Sequence, residues 1–191
     1  RVQVYFLESD KWFQPLNNLL YKSKNGRVLM DNLMRYAYYS KAVLSTLPHL
    51  FWVPDILVCN GWQSALIPNY YKNEFEGISD FYKRIKSVLV VHDLDDYSKV
   101  DRSDLVKMGV EIDLKIKGNK LNIYDVASYN ADAILIIDRP GEKISSKLLK
   151  KAAFKDNKKK VTVFEQEDLE DIDFYAMTES LNQIASDITS K

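Results

Sequence analysis

The chain has 191 residues, which is enough for one domain with a substantial core. Its 27 Lys and Arg balance its 27 Asp and Glu, so no net field draws it to nucleic acid or to an anionic membrane, and neither is an expected partner. It has a single cysteine, no visible signal peptide and no apolar run near the roughly 20 residues that span a bilayer, which together predict a cytoplasmic protein.

The chain opens on a run that is typical of a β-strand. Residues 2–7 combine β-branched and aromatic side chains and end at polar turn formers. Arg1 rather than Met precedes this run, so we expect residues 1–191 to form a single domain that lacks its own N-terminal residues.

A helix is predicted after an irregular stretch over residues 12–30. Apolar side chains recur at intervals of three and four residues from Leu33 to Leu47, and Pro48 closes the helix. Asp31 or Asn32 is the expected cap. The apolar stripe places one face of this helix against a sheet.

Four later apolar runs predict buried strands. They cover residues 56–59, 88–92, 133–137 and 161–164. Helical stretches lie between and after them, near residues 62–72, 101–108, 121–130, 145–153 and 168–187. Strands that alternate with helices predict an α/β fold with an open, doubly wound, mainly parallel sheet that is covered by helices on both faces.

The first candidate site follows the second predicted strand. Asn60 and Gln63 carry amides that can donate and accept hydrogen bonds to sugar hydroxyls, and the face of Trp62 can stack on a pyranose ring. The alternative is structural: Asn60 caps the next helix, Gly61 supplies the turn and Trp62 packs in the core.

The second candidate site follows the third predicted strand. His92 and Asp93, with Asp95, Asp96 and Tyr97 after them, could transfer protons or bind a metal. The only other histidine, His49, lies at a predicted helix end, and no spaced set of His, Cys and Glu accompanies either histidine, so no metal site is predicted. The alternative interpretation is an acidic, hydrated loop.

Ligands of open parallel sheets bind outside the carboxyl ends of the strands, where the strand order reverses. We therefore expect Asn60, Gly61, Trp62 and His92 to lie at adjacent strand ends on one side of the sheet. No dinucleotide fingerprint, Walker loop or nucleophile elbow is present, so no cofactor is predicted. Cys59 ends a buried strand and is expected to be a core residue rather than a nucleophile.

Residues 54–68 read PDILVCNGWQSALIP and resemble the motif P-D-(apolar)2-H-x-H-D-W-x-x-(A/G)-L-x-P of bacterial glycogen and starch synthases. Val58, Asn60 and Gly61 stand where that motif has its two histidines and its aspartate. Further matches occur in family order at residues 7–13 (LESDKWF), 35–44 (RYAYYSKAVL), 86–94 (KSVLVVHDL) and 129–134 (YNADAI). The resemblance covers residues 1 to about 138, and the remainder is similar to the ends of short single-domain starch-synthase-like proteins of Bacteroidota.

This resemblance implies the acceptor-side, Rossmann-like half of a GT-B glycosyltransferase that acts on α-1,4-glucan, without the domain that binds ADP-glucose. It implies substrate contacts from Asn60, Gly61, Trp62, Gln63, His92 and Asp93, and it assigns no catalytic residue. One hypothesis is an acceptor domain inactive as an isolated chain, whose donor site comes from a separate chain or from a homo-oligomer. The other is a non-catalytic module that binds glucan or another protein.

Overall fold

The computed structural model describes residues 2–13, 21–168 and 173–190. Its strands are β1 (Ile56–Asn60), β2 (Lys86–Val91), β3 (Lys99–Asp101), β4 (Lys120–Asn122), β5 (Ala133–Asp138) and β6 (Val161–Glu165). Four of them form one parallel sheet in the order β1-β2-β5-β6, which confirms the positions of the four later predicted strands. Their predicted burial holds for β2 and β5 but was wrong for β1 and β6, because these two lie at the edges of the sheet. The short β3 and β4, which the sequence did not predict, pair antiparallel beside it.

The described residues include eight α-helices. They are α1 (Asp10–Phe13), α2 (Asn32–Thr46), α3 (Ile67–Tyr70), α4 (Arg102–Lys107), α5 (Ile123–Asn130), α6 (Ile144–Leu148), α7 (Ala152–Asp156) and α8 (Phe174–Thr189). None of these helices is long and apolar enough to cross a bilayer. The helix predicted near residues 62–72 is α3 continued by a wider π-helical turn over Tyr71–Phe75.

Alternate residues of the parallel sheet face two separate cores, because side chains in a strand point to opposite faces in turn. On one face, Leu89, Val91, Ile134 and Ile136 pack in the larger core together with residues of α2, α3 and α5. On the other face, the smaller core consists of Val88, Val90, Ala133, Leu135 and Ile184, the last of these from α8. Helices therefore cover both faces, as predicted.

The strands of the parallel sheet lie side by side in their chain order. Among the described residues, each successive strand of the parallel sheet is therefore added on the same side of the previous one, and the strand order does not reverse. The strand ends still form one edge of the sheet, since all three pairings are parallel.

Several local predictions were wrong. Residues 2–7 form no strand and are exposed, because strand propensity does not order a segment that has no neighbouring strand to hydrogen-bond. Asp31 makes no side-chain cap to α2, and the Asn32 amide instead donates to the Tyr21 carbonyl at 2.8 Å. The helix predicted over residues 145–153 is broken into α6 and α7. Parts of two predicted segments, residues 14–20 and 169–172, lie outside the described residues.

The β1 edge of the sheet is open and uncharged. Among the described residues β1 pairs with β2 alone, and its sequence ILVCN carries no charge. Val58, at the centre of β1, is 53% exposed. A groove of about 520 Å³ runs between β1 and α2, and the buried Tyr36 hydroxyl that borders it has no hydrogen-bond partner among the described residues.

Candidate functional site at the strand ends

Four polar side chains lie in a row at the carboxyl ends of the parallel strands. In each strand alternate residues face α8, and a polar residue at or just past the strand end continues that alternation. The four are Asn60 after Val58, His92 after Val90, Arg139 after Ile137, and Gln166 after Phe164. Neighbouring strands therefore present them side by side.

These four side chains line a crevice of about 500 Å³ between the sheet and α8, here called the strand-end crevice. The rest of its lining is apolar: Val58, Val90, Leu135 and Ile137 from the sheet, and Phe174, Met177 and Leu181 from α8. Small-ligand sites are typically clefts of roughly 300–1,000 Å³ with apolar walls and a few convergent polar groups. The strand-end crevice has that size and that mixture of groups.

The turn after β1 brings Gly61 against His92. Gly61 has a φ of 71°, which favours glycine, and its amide donates to the Val90 carbonyl at 3.0 Å. A β-carbon at this position would lie 2.9 Å from Gln63 Oε1 and 3.1 Å from His92 Nε2. Its positive φ fits the structural interpretation, in which Gly61 supplies the turn, and the absence of a side chain also allows the His92 ring to lie directly over this turn.

A half-buried carboxylate contacts the ring of His92. Its Nδ1 lies 3.3 Å from Asp93 Oδ2, and the Tyr124 hydroxyl donates to Asp93 Oδ1 at 3.3 Å. Burial raises the pKa of Asp93, and the neighbouring His92 opposes this rise. Burial and the Asp93 carboxylate also raise the pKa of Tyr124, so that its hydroxyl stays a donor. Asp93 thus contacts Nδ1 of the ring, while Nε2 faces Gly61.

Trp62 does not take part in the strand-end crevice. It is 4% exposed and packs edge-on against Tyr36, with ring centroids 4.8 Å apart, and beside Tyr97 at 6.2 Å. A stacking role for Trp62 on a sugar ring does not fit this burial, because neighbouring aromatic rings cover most of the indole. The alternative, a core tryptophan, describes its position.

The other candidates are dispersed. Gln63 lines the groove beside α2, and Asp93 is turned towards Tyr124. Asp95 and Asp96 are exposed, and Asp96 accepts from Lys99 at 2.7 Å, as expected of a hydrated loop. No cluster of His, Cys, Asp and Glu that could hold a metal ion occurs in the described ranges. Of the six predicted site residues, Asn60 and His92 line the strand-end crevice.

Arg139 and Gln166 were missed by the sequence analysis. Both follow predicted strands, and both continue the two-residue alternation of the face that contains Asn60 and His92. Counting two residues beyond the end of each predicted strand, at 137 and at 164, would have identified both residues. Cys59, in contrast, is buried as predicted, and burial raises the pKa of its thiol to about 12, which makes it a poor nucleophile.

The raised pKa of Asp93 predicts how stability depends on pH. Between the ordinary carboxyl pKa of the unfolded chain, about 3.9, and the raised value in the fold, the folded state binds more protons. The free energy of unfolding should therefore fall, relative to that of Asp93→Asn, as pH rises through this interval. Urea titrations of both proteins between pH 4 and 7 measure the difference.

Asp96→Asn is the control for that experiment. Lys99 lowers the pKa of Asp96, first through its hydrogen bond and then through its charge, so the sign of any effect is reversed. If the free energy of unfolding depends on pH in the same way for the wild type and Asp93→Asn, the raised pKa of Asp93 is contradicted.

Comparison with known proteins places the chain in a family. Residues 1–140 match the family described as starch synthase catalytic domain. The glycogen synthase of Lachnospira eligens is 33% identical over 138 residues, which are 72% of this chain and 27% of that protein. That of Geotalea daltonii is 30% identical over 138 residues, which are 70% of this chain and 28% of that protein. The chain thus spans less than a third of the length of these relatives.

A solved structure shows the same fold. The catalytic domain of starch synthase IV from Arabidopsis thaliana, bound to ADP and acarbose, matches 72% of this chain and 30% of its own chain, with a TM-score of 0.58. The sequence identity of 17% limits this likeness to the fold. The resemblance carried by residues 54–68 is confirmed by the family match and by the glycogen synthase relatives, and the chain belongs to the starch synthase catalytic domain family.

Proposed function

We propose that this chain binds the end of an α-1,4-glucan in the strand-end crevice, as the acceptor-side domain of a glucosyltransferase and without transferring glucose by itself. The observation that carries the proposal is the row of Asn60, His92, Arg139 and Gln166 along one apolar-walled crevice. A cytoplasmic location belongs to the same proposal.

The chemistry of the row suits a sugar. Each pyranose hydroxyl both donates and accepts hydrogen bonds. Amide and imidazole groups can offer both functions, while a guanidinium donates only. The side chains of Asn60 and Arg139 have no hydrogen bond or ion pair to any other described residue. Both are therefore available to a ligand without breaking an existing contact. The relatives named glycogen synthase, and the Arabidopsis enzyme bound to acarbose, support a glucan as the ligand.

Isothermal titration calorimetry with maltoheptaose tests the proposal. The wild type should bind saturably, and the double variant Asn60→Ala/His92→Ala should bind about 30-fold more weakly, because two hydrogen bonds of about 1 kcal/mol each are lost. His49→Ala is the matched control, since His49 is exposed and does not line the crevice. Absence of saturable binding by the wild type, or equal binding by the double variant, would refute it.

A protein-interaction role is the second candidate, and the open edge of β1 favours it. An uncharged edge strand with an exposed valine offers unpaired backbone groups to another chain. A separate chain that carries the donor domain, or a second copy of this chain, is the partner considered. Loss of heterodimer or homodimer formation on Val58→Lys, with no maltoheptaose binding by the wild type, would favour this candidate over the first.

A further inference from the structure

A sugar ring has an apolar face as well as hydroxyl edges, and binding sites for sugars commonly place an aromatic ring against that face. The expected platform, Trp62, is buried among Tyr21, Tyr36 and Tyr97. If the strand-end crevice holds a glucan, another aromatic side chain must supply the apolar contact. This question rests on the proposed function.

Phe174 occupies the position that the platform requires. It is the first residue of α8 and lines the strand-end crevice with Asn60, His92, Arg139 and Gln166. It is 64% exposed, so much of its surface is open to a ligand. The start of α8 is fixed by Asp173, whose side chain accepts from the Ala176 amide at 2.9 Å. The backbone that presents Phe174 is therefore capped rather than frayed.

The polar side of the crevice faces the same space. Gln166 is buried, and its amide donates to the Asp168 carbonyl, which fixes its side chain at the crevice wall. Arg139 is exposed and lines the crevice after the end of β5. The crevice thus has an apolar ring on the α8 wall and planar polar groups on the sheet wall. This arrangement suits a pyranose whose apolar face stacks on the ring and whose hydroxyls form hydrogen bonds with the polar groups.

We propose that Phe174 is the stacking platform for a pyranose of the bound glucan, and that Arg139 and Gln166 are its further polar contacts. Phe174 and Gln166 lie outside residues 1–140, the part of the chain that matches the family. The C-terminal segment thus completes a binding site whose other wall, with Asn60 and His92, belongs to the family's own fold.

Tyr175 provides a matched control. It is 75% exposed and adjacent to Phe174 in the same helix, yet it does not line the strand-end crevice. Substitution of either residue removes an exposed aromatic ring from the first turn of α8. A loss of binding that is specific to Phe174 therefore reports a contact with the ligand and not a general effect on the helix.

The experiment compares maltoheptaose binding by the wild type, Phe174→Leu, Phe174→Trp and Tyr175→Ala, with far-UV circular dichroism to verify the fold of each. Phe174→Leu should bind about three- to tenfold more weakly, while Phe174→Trp and Tyr175→Ala should keep wild-type affinity. Wild-type affinity in Phe174→Leu, or an equal loss in Tyr175→Ala, would overturn the assignment of Phe174. If Asn60→Ala/His92→Ala still loses binding in that case, the proposed function stands without it; no binding by the wild type overturns both.

Discussion

Residues 1–191 on their own are expected to transfer no glucose from ADP-glucose to glycogen. Transfer develops negative charge on the departing diphosphate, and enzymes meet such charge with positioned cations and dipoles. The resemblance of residues 54–68 to glycogen and starch synthases implies that those groups belong to a separate domain that binds ADP-glucose, and this chain spans only 27% of the Lachnospira eligens glycogen synthase. Asn60 stands where the family motif has a histidine, and an amide cannot titrate to take up a proton.

Incorporation of radiolabelled glucose into glycogen measures this. The full-length Lachnospira eligens glycogen synthase is the positive control, and Asn60→Ala/His92→Ala sets the background. If the wild-type chain incorporates more labelled glucose than the double variant does, this chain carries a complete active site and the prediction is wrong.

Trp62→Ala is expected to lower the free energy of unfolding by about 3–5 kcal/mol. Trp62 is almost wholly buried among three tyrosine rings, so truncation leaves a large cavity and removes the edge-to-face contact with Tyr36. Urea denaturation followed by circular dichroism gives the midpoint and the slope from which this loss is calculated.

Trp52→Ala is the control for size and chemistry. Trp52 is 45% exposed in the turn before β1, so its removal should cost about 1 kcal/mol or less. Equal midpoints for the two variants would contradict the core role of Trp62. A loss of sugar binding in Trp62→Ala would reflect this loss of stability and not a lost contact with the sugar. Contacts with the sugar are tested by the substitutions of Phe174 and His92.

Much of the fold could be predicted because its signals are local. The apolar runs at residues 56–59, 88–92, 133–137 and 161–164 are too short for helices, so they indicated a parallel sheet. The sequence did not show that the first and last of these strands lie at the half-exposed edges. Residues 2–7 carry a similar signal, but a strand also requires a partner. The sequence does not show which strands are neighbours, and the exposed position of this segment was therefore not predictable.

The candidate site was harder to predict than the fold. The end of a strand indicates where Asn60 and His92 lie, but the direction of Trp62 depends on how α2 and the turn before β3 pack around it. Phe174 enters the crevice from a helix that is distant in sequence, and no local pattern relates it to Asn60. Contacts between distant segments of the chain are set by tertiary packing.

The uncharged edge of β1 sets the limit on a pairing of two copies through this strand, if such a pairing forms. Native sheets protect their edges with charges, prolines or bulges, and ILVCN has none of these. The opposite edge strand, β6, follows three lysines and ends at Glu165. If two copies pair through β1 across a two-fold axis, the only uncharged edge strand among the described residues of each copy becomes hydrogen-bonded. Such association is self-limiting: it closes at a pair and does not propagate into a fibril.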